Sequence, residues 1–456
     1  MSRILITVHK FFPANKAGTE VLTLKIAQEL QARGHEILIV SADPPATDAR
    51  HATGPEWQDY EHEGVNVHAL GESLRLKNYS YEHEFYHPEI ADHFETVLDS
   101  FKPDLLHVMH AQNLSAAIIE RARNRGLPVV FSPTDFWFIC PIVQLKRTDG
   151  TICEGPGPNA EHCISCYTPE LIPSEDQFVE AVHGRMPITQ MLGRRLTGAL
   201  GYEFYVGKKR VAAEAATRKR PEVLREIGNS VDAIMVPTEI MKNLFIKNGF
   251  REELIHKVPF GIDTSLLEEF QNKSASTTLR IGFIGTIYEH KGLDILIKAF
   301  QRLNPSCDAV LKIYGNTEQF PEYAASVLAL ADKSQEHREK ISFLGTFANE
   351  KLGEVLTDID VLVVPSRWYE NTPLVIQSAL STRTPLIATN LGGMSELVKD
   401  GENGMLFELN DDLGLAEKLE ALVGDHSLLA RFRENIGKQR TITEMVDDLE
   451  SIYRQI

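Results

Sequence analysis

Residues 4–8 form an apolar run, followed by a loop with Pro13 and Gly18 and then by residues 20–33, where Leu22, Ile26 and Leu30 recur every fourth position. The run reads as a buried strand and the recurrence as the apolar face of a helix. Gly34 ends that helix, and residues 37–40 are the next apolar strand. Strand, helix and strand with short connections mark a parallel sheet covered by helices. The alternation continues with a strand over Leu105–Val108, a helix over 115–125 stopped by Gly126 and Pro128, and strands over Val129–Phe131 and Ala233–Val236, the last followed by a helix from near Thr238.

The same grammar restarts at Arg280. Strands are predicted over 281–284, 310–314, 341–344, Val361–Val364 and 386–388, with helices over 292–302 and 372–382, the latter taking Pro373 in its first turn. Two doubly wound, Rossmann-like α/β domains result. The first spans 1–260, the second spans 279–440, and a linker over 261–278 carries Gly261 and a Ser-Ala-Ser-Thr-Thr run. Residues 441–456 are expected to form a helix packing back on the first domain. Between about 135 and 228 the alternation breaks for longer than an ordinary connection, which reads as an insertion in the first domain. In open α/β sheets ligands sit outside the carboxyl ends of the strands, so the expected site lies there, facing a central cleft.

Composition narrows the class. The 456 residues are 43% hydrophobic and 24% charged, ordinary globular proportions, and the net charge of -17 argues against a general nucleic-acid binder. Five cysteines are too few for a disulfide scaffold. The amino terminus lacks the pattern of a signal peptide and no apolar run is long enough to span a bilayer. A cytoplasmic protein is expected, with any membrane contact peripheral.

The most informative stretch is 365–380. A buried strand ends at Val364, a polar loop follows, and backbone N–H groups near Asn371, Thr372 and Leu374 at the helix start suit a diphosphate or sugar hydroxyls, with Glu370 alongside. An ordinary strand-loop-helix connection explains the same residues equally well. Gly18 lets backbone approach a ligand closely, and the helix from Glu20 points its amino terminus the same way.

Several motifs in order resemble the retaining glycosyltransferases of family 4, which have the two-domain GT-B fold: Gly18-Thr19 after the first strand, the linker 258–263, Gly285-Thr286 to Lys291-Gly292, the Glu370 region, and Gly392-Gly393 before Gly401 and Gly404. The resemblance implies that Glu370 contacts the donor sugar, as the first glutamate of the family's Glu-x7-Glu motif. Ser378 occupies the second position, where the family holds the ribose with a carboxylate; a serine offers less reach and fewer acceptors. Gln377 projects about 100° away around the helix. Lys291 matches the family's diphosphate lysine, and Thr286 stands where many relatives carry an arginine, for which Arg367 is a candidate substitute. Gly392 and Gly393 complete the donor side. The family also places a sugar-binding histidine after a first-domain strand, which favours His110 over His107. Thr134 replaces a family histidine, leaving Asp135 as an acceptor-side contact, and Arg383 stands where relatives have a glycine ending the helix.

Two features stay open. Cys140, Cys153, Cys163 and Cys166 fall in one loop-rich segment with a C-x2-C pair, which fits either a structural zinc site or a set of reduced core thiols. Residues 185–226 carry ten Lys or Arg against four acids, interleaved with Tyr202, Phe204 and Tyr205, which fits either an anionic membrane surface or a solvated helical face. The expected activity is transfer of a sugar from a UDP- or GDP-sugar to a glycan or lipid-linked hydroxyl with retention, in surface polysaccharide or glycolipid synthesis, without a catalytic cofactor. His110, Glu370 and Lys291 are the expected catalytic set. The departures at Ser378, Thr134 and Arg383 leave a second reading, a nucleotide-sugar-binding or partner protein with impaired turnover; epimerase chemistry on a nucleotide sugar is a weaker third.

Overall fold

Continuous apolar strands need cover on both faces, and each array builds a sheet that supplies it. The computed structural model describes residues 1–42, 56–172, 191–265, 267–273 and 276–456, with 191–205 described as backbone. The first sheet contains β1 (Arg3–Val8), β2 (Glu36–Ala42), β3 (Trp57–His62), β4 (Val65–Leu70), β5 (Leu105–Val108), β6 (Val129–Phe131), β7 (Ala233–Val236) and β8 (Ile255–Lys257). Their order is β3-β4-β2-β1-β5-β6-β7-β8. Strand β1 lies in parallel register between β2 and β5, with Ile4 opposite both Ile37 and Leu105, and is buried from Ile4 onward. Helix Gly18–Ala32 lays Leu22, Ile26, Ala27 and Leu30 into the core, as the four-residue recurrence requires.

The second sheet contains β9 (Leu279–Ile284), β10 (Ala309–Tyr314), β11 (Ile341–Gly345), β12 (Val361–Val364), β13 (Leu386–Thr389) and β14 (Gly404–Phe407), in the order β11-β10-β9-β12-β13-β14. All its pairings are parallel. One core, with Ile281, Leu296, Phe300, Leu311 and Leu419, covers one face; a second, with Leu362, Ile376, Leu380 and Met394, covers the other. The chain divides into two compact units, one of residues 1–235, 243–256 and 455–456, the other of 236–242 and 257–454. The residues read as a linker therefore belong to the second unit. Gly261 explains part of this: its backbone N–H meets Met445 Sδ at 3.3 Å, and an added Cβ would come within 2.1 Å of the Thr441 carbonyl. Thr441 and Glu444 form a reciprocal capping box that starts the helix Ile442–Tyr453 beside this segment.

Between β6 and β7 the described residues hold no strand of either sheet. They pass through turns and the short helix Glu161–Tyr167 to the long helix Met191–Gly228. Part of the predicted insertion, 173–190, lies outside the described residues, as do 43–55.

Candidate active site

In the second unit, β12 delivers the chain into the loop 365–373. The following helix begins at Leu374, two residues later than the periodicity predicts, because Pro373 disfavours helical backbone at Thr372 and itself caps in an extended conformation. Thr372 and Asn371 are thus buried loop residues rather than helical ones. Two glycine contacts press neighbouring loops onto this one. An added Cβ at Gly292 would lie 1.9 Å from the Pro365 carbonyl, and one at Gly393 would lie 1.4 Å from that of Asn371. Gly292 also has positive φ, so it is demanded by conformation as well as by space, and Gly392 has positive φ too. At Gly285 the nearest atom to an added Cβ is 3.6 Å away, so protein neighbours do not enforce that glycine.

These approaches bring together Lys291 and Glu370. The Lys291 ammonium meets Glu370 Oε1 at 2.5 Å, and the same oxygen accepts from Ser366 Oγ at 2.9 Å and Trp368 Nε1 at 2.8 Å. Burial pushes the Glu370 carboxyl up, but the adjacent lysine and the two further donors overcome this and hold it below its ordinary range. Glu370 is therefore an anion, and Lys291 a cation that also lies 5.4 Å from the Trp368 ring centroid.

Arg367 has partners of its own: its guanidinium donates to Asp294 Oδ2 at 2.8 Å and to Asn410 Oδ1 at 2.9 Å. Gln377 is committed too, donating to the Phe260 carbonyl at 2.6 Å. Ser378 is buried on the same helix. Arg383 has φ 53°, the left-handed geometry that favours a glycine at a helix end.

In the first unit, His110 follows β5. Its Nδ1 accepts the Gln112 backbone N–H at 3.0 Å, which leaves Nε2 to donate to Asp135 Oδ2 at 2.8 Å. Burial pushes the Asp135 carboxyl up, and His110 beside it wins, holding it low. His107 lies within the strand, buried against Ser132 Oγ at 2.7 Å, and burial pulls it down to about 3. Gly18 and Thr19 open their helix, where no side chain caps the amino terminus. Thr19 contributes its carbonyl to Thr23 Oγ1 at 2.7 Å.

Two residues of this cluster escape sequence reading. His9, just after β1, packs against His110 with ring centroids 4.3 Å apart and the rings tilted by 40°, and its Nε2 is 3.5 Å from Glu20 Oε1. Burial pulls His9 down to about 3 and pushes Glu20 up. The signal was present, since Glu20 shares the buried helix face with Leu24 and Ala27.

The four cysteines are buried free thiols, and burial pushes Cys163 up to about 12 and Cys140 to about 11. Among the described residues, the group of metal-type donor atoms converging within 4.8 Å is His83, His87 and Glu89, not the cysteines. Arg220, counted in the basic segment, is buried over the Trp137 ring, 4.9 Å from its centroid, with one nitrogen donating to the Trp137 carbonyl. Lys219 pairs with Glu82 at 2.6 Å. Arg185 lies outside the described residues, as do the side chains of Arg194 and Arg195. No helix among the described residues is long and apolar enough to cross a membrane.

Two family models match in tandem, a glycosyl transferase 4-like domain over residues 17–157 and a glycosyl transferases group 1 domain over 278–425. The two doubly wound sheets make up the GT-B fold, and each carries a stretch similar to a glycosyltransferase domain. It is 31% identical over 177 residues to an uncharacterised glycosyltransferase of Methanocaldococcus jannaschii, covering 38% of this chain and 47% of that protein, about half its length. It is 21% identical over 407 residues to an uncharacterised 42.6 kDa protein in the cps region of Klebsiella pneumoniae, covering 86% and 87% of the two chains. Among solved structures, Anabaena HepE in complex with UDP and glucose superposes over 100% of both chains with a TM-score of 0.64 at 15% identity.

Proposed function

We propose that this protein transfers a sugar from a nucleotide diphosphate donor to an acceptor hydroxyl with retention at the anomeric carbon. The observation that carries the reading is the Lys291–Glu370 pair, built by loop glycines beside the start of the helix at Leu374. A cation and a sugar-binding carboxylate at adjoining positions suit a donor with a diphosphate next to a sugar. The complexes of Anabaena HepE with UDP and with UDP-glucose support a nucleotide-sugar donor.

In the proposed reaction, the bond between the anomeric carbon and the diphosphate oxygen breaks. The acceptor oxygen bonds to that carbon on the same face, and its proton passes to the departing diphosphate. Lys291 offsets the charge that builds on the diphosphate. Glu370, Gly392 and Gly393 position the sugar, and the backbone N–H groups of the helix start receive phosphate oxygens. His110, oriented by Asp135, donates or accepts at a sugar hydroxyl. The test is nucleotide release from a panel of UDP- and GDP-sugars. Wild type should release nucleotide, and Glu370→Ala should lower the rate by about 10²-fold or more. Binding without release would favour the second reading, a nucleotide-sugar-binding protein, for which buried Ser378 is the specific observation.

A further inference from the structure

We propose that His83, His87 and Glu89 form a binding site for a divalent transition-metal cation of the zinc type, in the first unit and separate from the residues assigned above. One ligand atom from each lies within 4.8 Å of the other two. His83 sits in the single turn Tyr81–Glu84, His87 precedes the helix Pro88–Phe101, and Glu89 is in that helix's first turn.

Hydrogen bonding prepares these groups as ligands. His87 is 2% exposed, and its Nε2 is 2.9 Å from the Arg75 carbonyl, an acceptor that requires the proton on Nε2. The Nδ1 lone pair then points at Glu89 Oε2, 3.1 Å away. Asn78 donates to the other Glu89 oxygen at 2.8 Å, which leaves Oε2 facing His87. A lone pair and an anionic oxygen at that distance repel unless a cation or a proton lies between them. Tetrahedral zinc with bonds of about 2.0–2.1 Å separates its ligand atoms by about 3.3 Å, close to the 3.1 Å between His87 Nδ1 and Glu89 Oε2. Among the described residues, His83 Nδ1, His87 Nδ1 and Glu89 Oε2 are all buried without a hydrogen-bond partner. Two imidazoles and one carboxylate are a zinc-type donor set, and the carbonyl on the far nitrogen of His87 is the outer support such ligands use.

The backbone places the site where a metal would matter. The His87 N–H donates to Ser115 Oγ at 2.8 Å and the Ala116 N–H to the Phe85 carbonyl at 2.9 Å. The ion would therefore brace the segment that follows His110.

The test is cobalt(II) and zinc(II) titration of the purified full-length chain, compared with His83→Ala, Glu89→Gln and a variant with Cys140, Cys153, Cys163 and Cys166 all changed to serine. His83 and Glu89 are chosen because neither backbone anchors the fold as His87 does. The proposal predicts a cobalt visible spectrum without a sulfur charge-transfer band, retained in the serine variant. Each single variant should weaken zinc binding at least about tenfold. Unchanged binding in both single variants, or no binding above an adventitious level in wild type, would overturn it. So would a proton in the metal's place, seen as a histidine titration at His87 that added zinc does not shift.

Discussion

Replacing Lys291 with methionine isolates the central electrostatic contact. The change removes a charge-assisted hydrogen bond to a buried carboxylate and leaves Ser366 and Trp368 on the same oxygen. Such a bond contributes roughly 1.5–3 kcal/mol, and the lysine side chain is 24% exposed, so about 2 kcal/mol is expected near pH 8. The pH dependence is more diagnostic. In wild type the Glu370 carboxyl is held low, so its contribution is present above the unfolded value of about 4.3 and constant between pH 5 and 8. Without the lysine, burial dominates and raises the carboxyl, so the variant loses stability as pH rises through the raised value. The gap between wild type and variant should therefore widen from pH 5 to pH 8. Urea denaturation followed by Trp368 fluorescence reads it, since Trp57 and Trp137 lie in the other unit. An equal gap at both pH values would refute the claim that Lys291 is what keeps Glu370 ionised.

Glu20→Gln gives the opposite sign in the first unit. Burial raises Glu20, so its contribution is full below about pH 4.3 and lost as pH rises; the variant should gain on wild type at pH 8 and match it at pH 4 in denaturation followed through Trp137. Arg383→Gly should stabilise the second unit by about 1 kcal/mol, because the residue already has left-handed geometry at its helix end, and a lower melting temperature would count against that. Ser378→Glu should tighten UDP or GDP binding by about tenfold or more in calorimetry if a carboxylate there reaches the ribose. Unchanged affinity would show that the serine is not a lost ribose contact.

Much of the fold was legible because parallel strands buried on both faces are unbroken apolar runs. Leu105–Val108, Val129–Phe131, Ala233–Val236 and Val361–Val364 have the bounds the sequence predicts. The hairpin Trp57–His62 and Val65–Leu70 was not anticipated: its outer strand alternates exposed and half-buried polar residues, a pattern without an apolar run. At the site, Lys291 and Glu370 were legible singly through motif position, but not their pairing across 79 residues. The Arg367–Asp294 contact was hidden for the same reason, the two residues lying 73 positions apart. The His9–Glu20 contact required knowing that β1 and the following helix face one another near β5.

Sugar transfer with retention is tested most directly by proton NMR of a reaction between an α-linked UDP-sugar and an acceptor alcohol. The account predicts release of UDP matched by an α-linked product from wild type, and neither from Glu370→Ala. A β-linked product, or equal product from the variant, would contradict it.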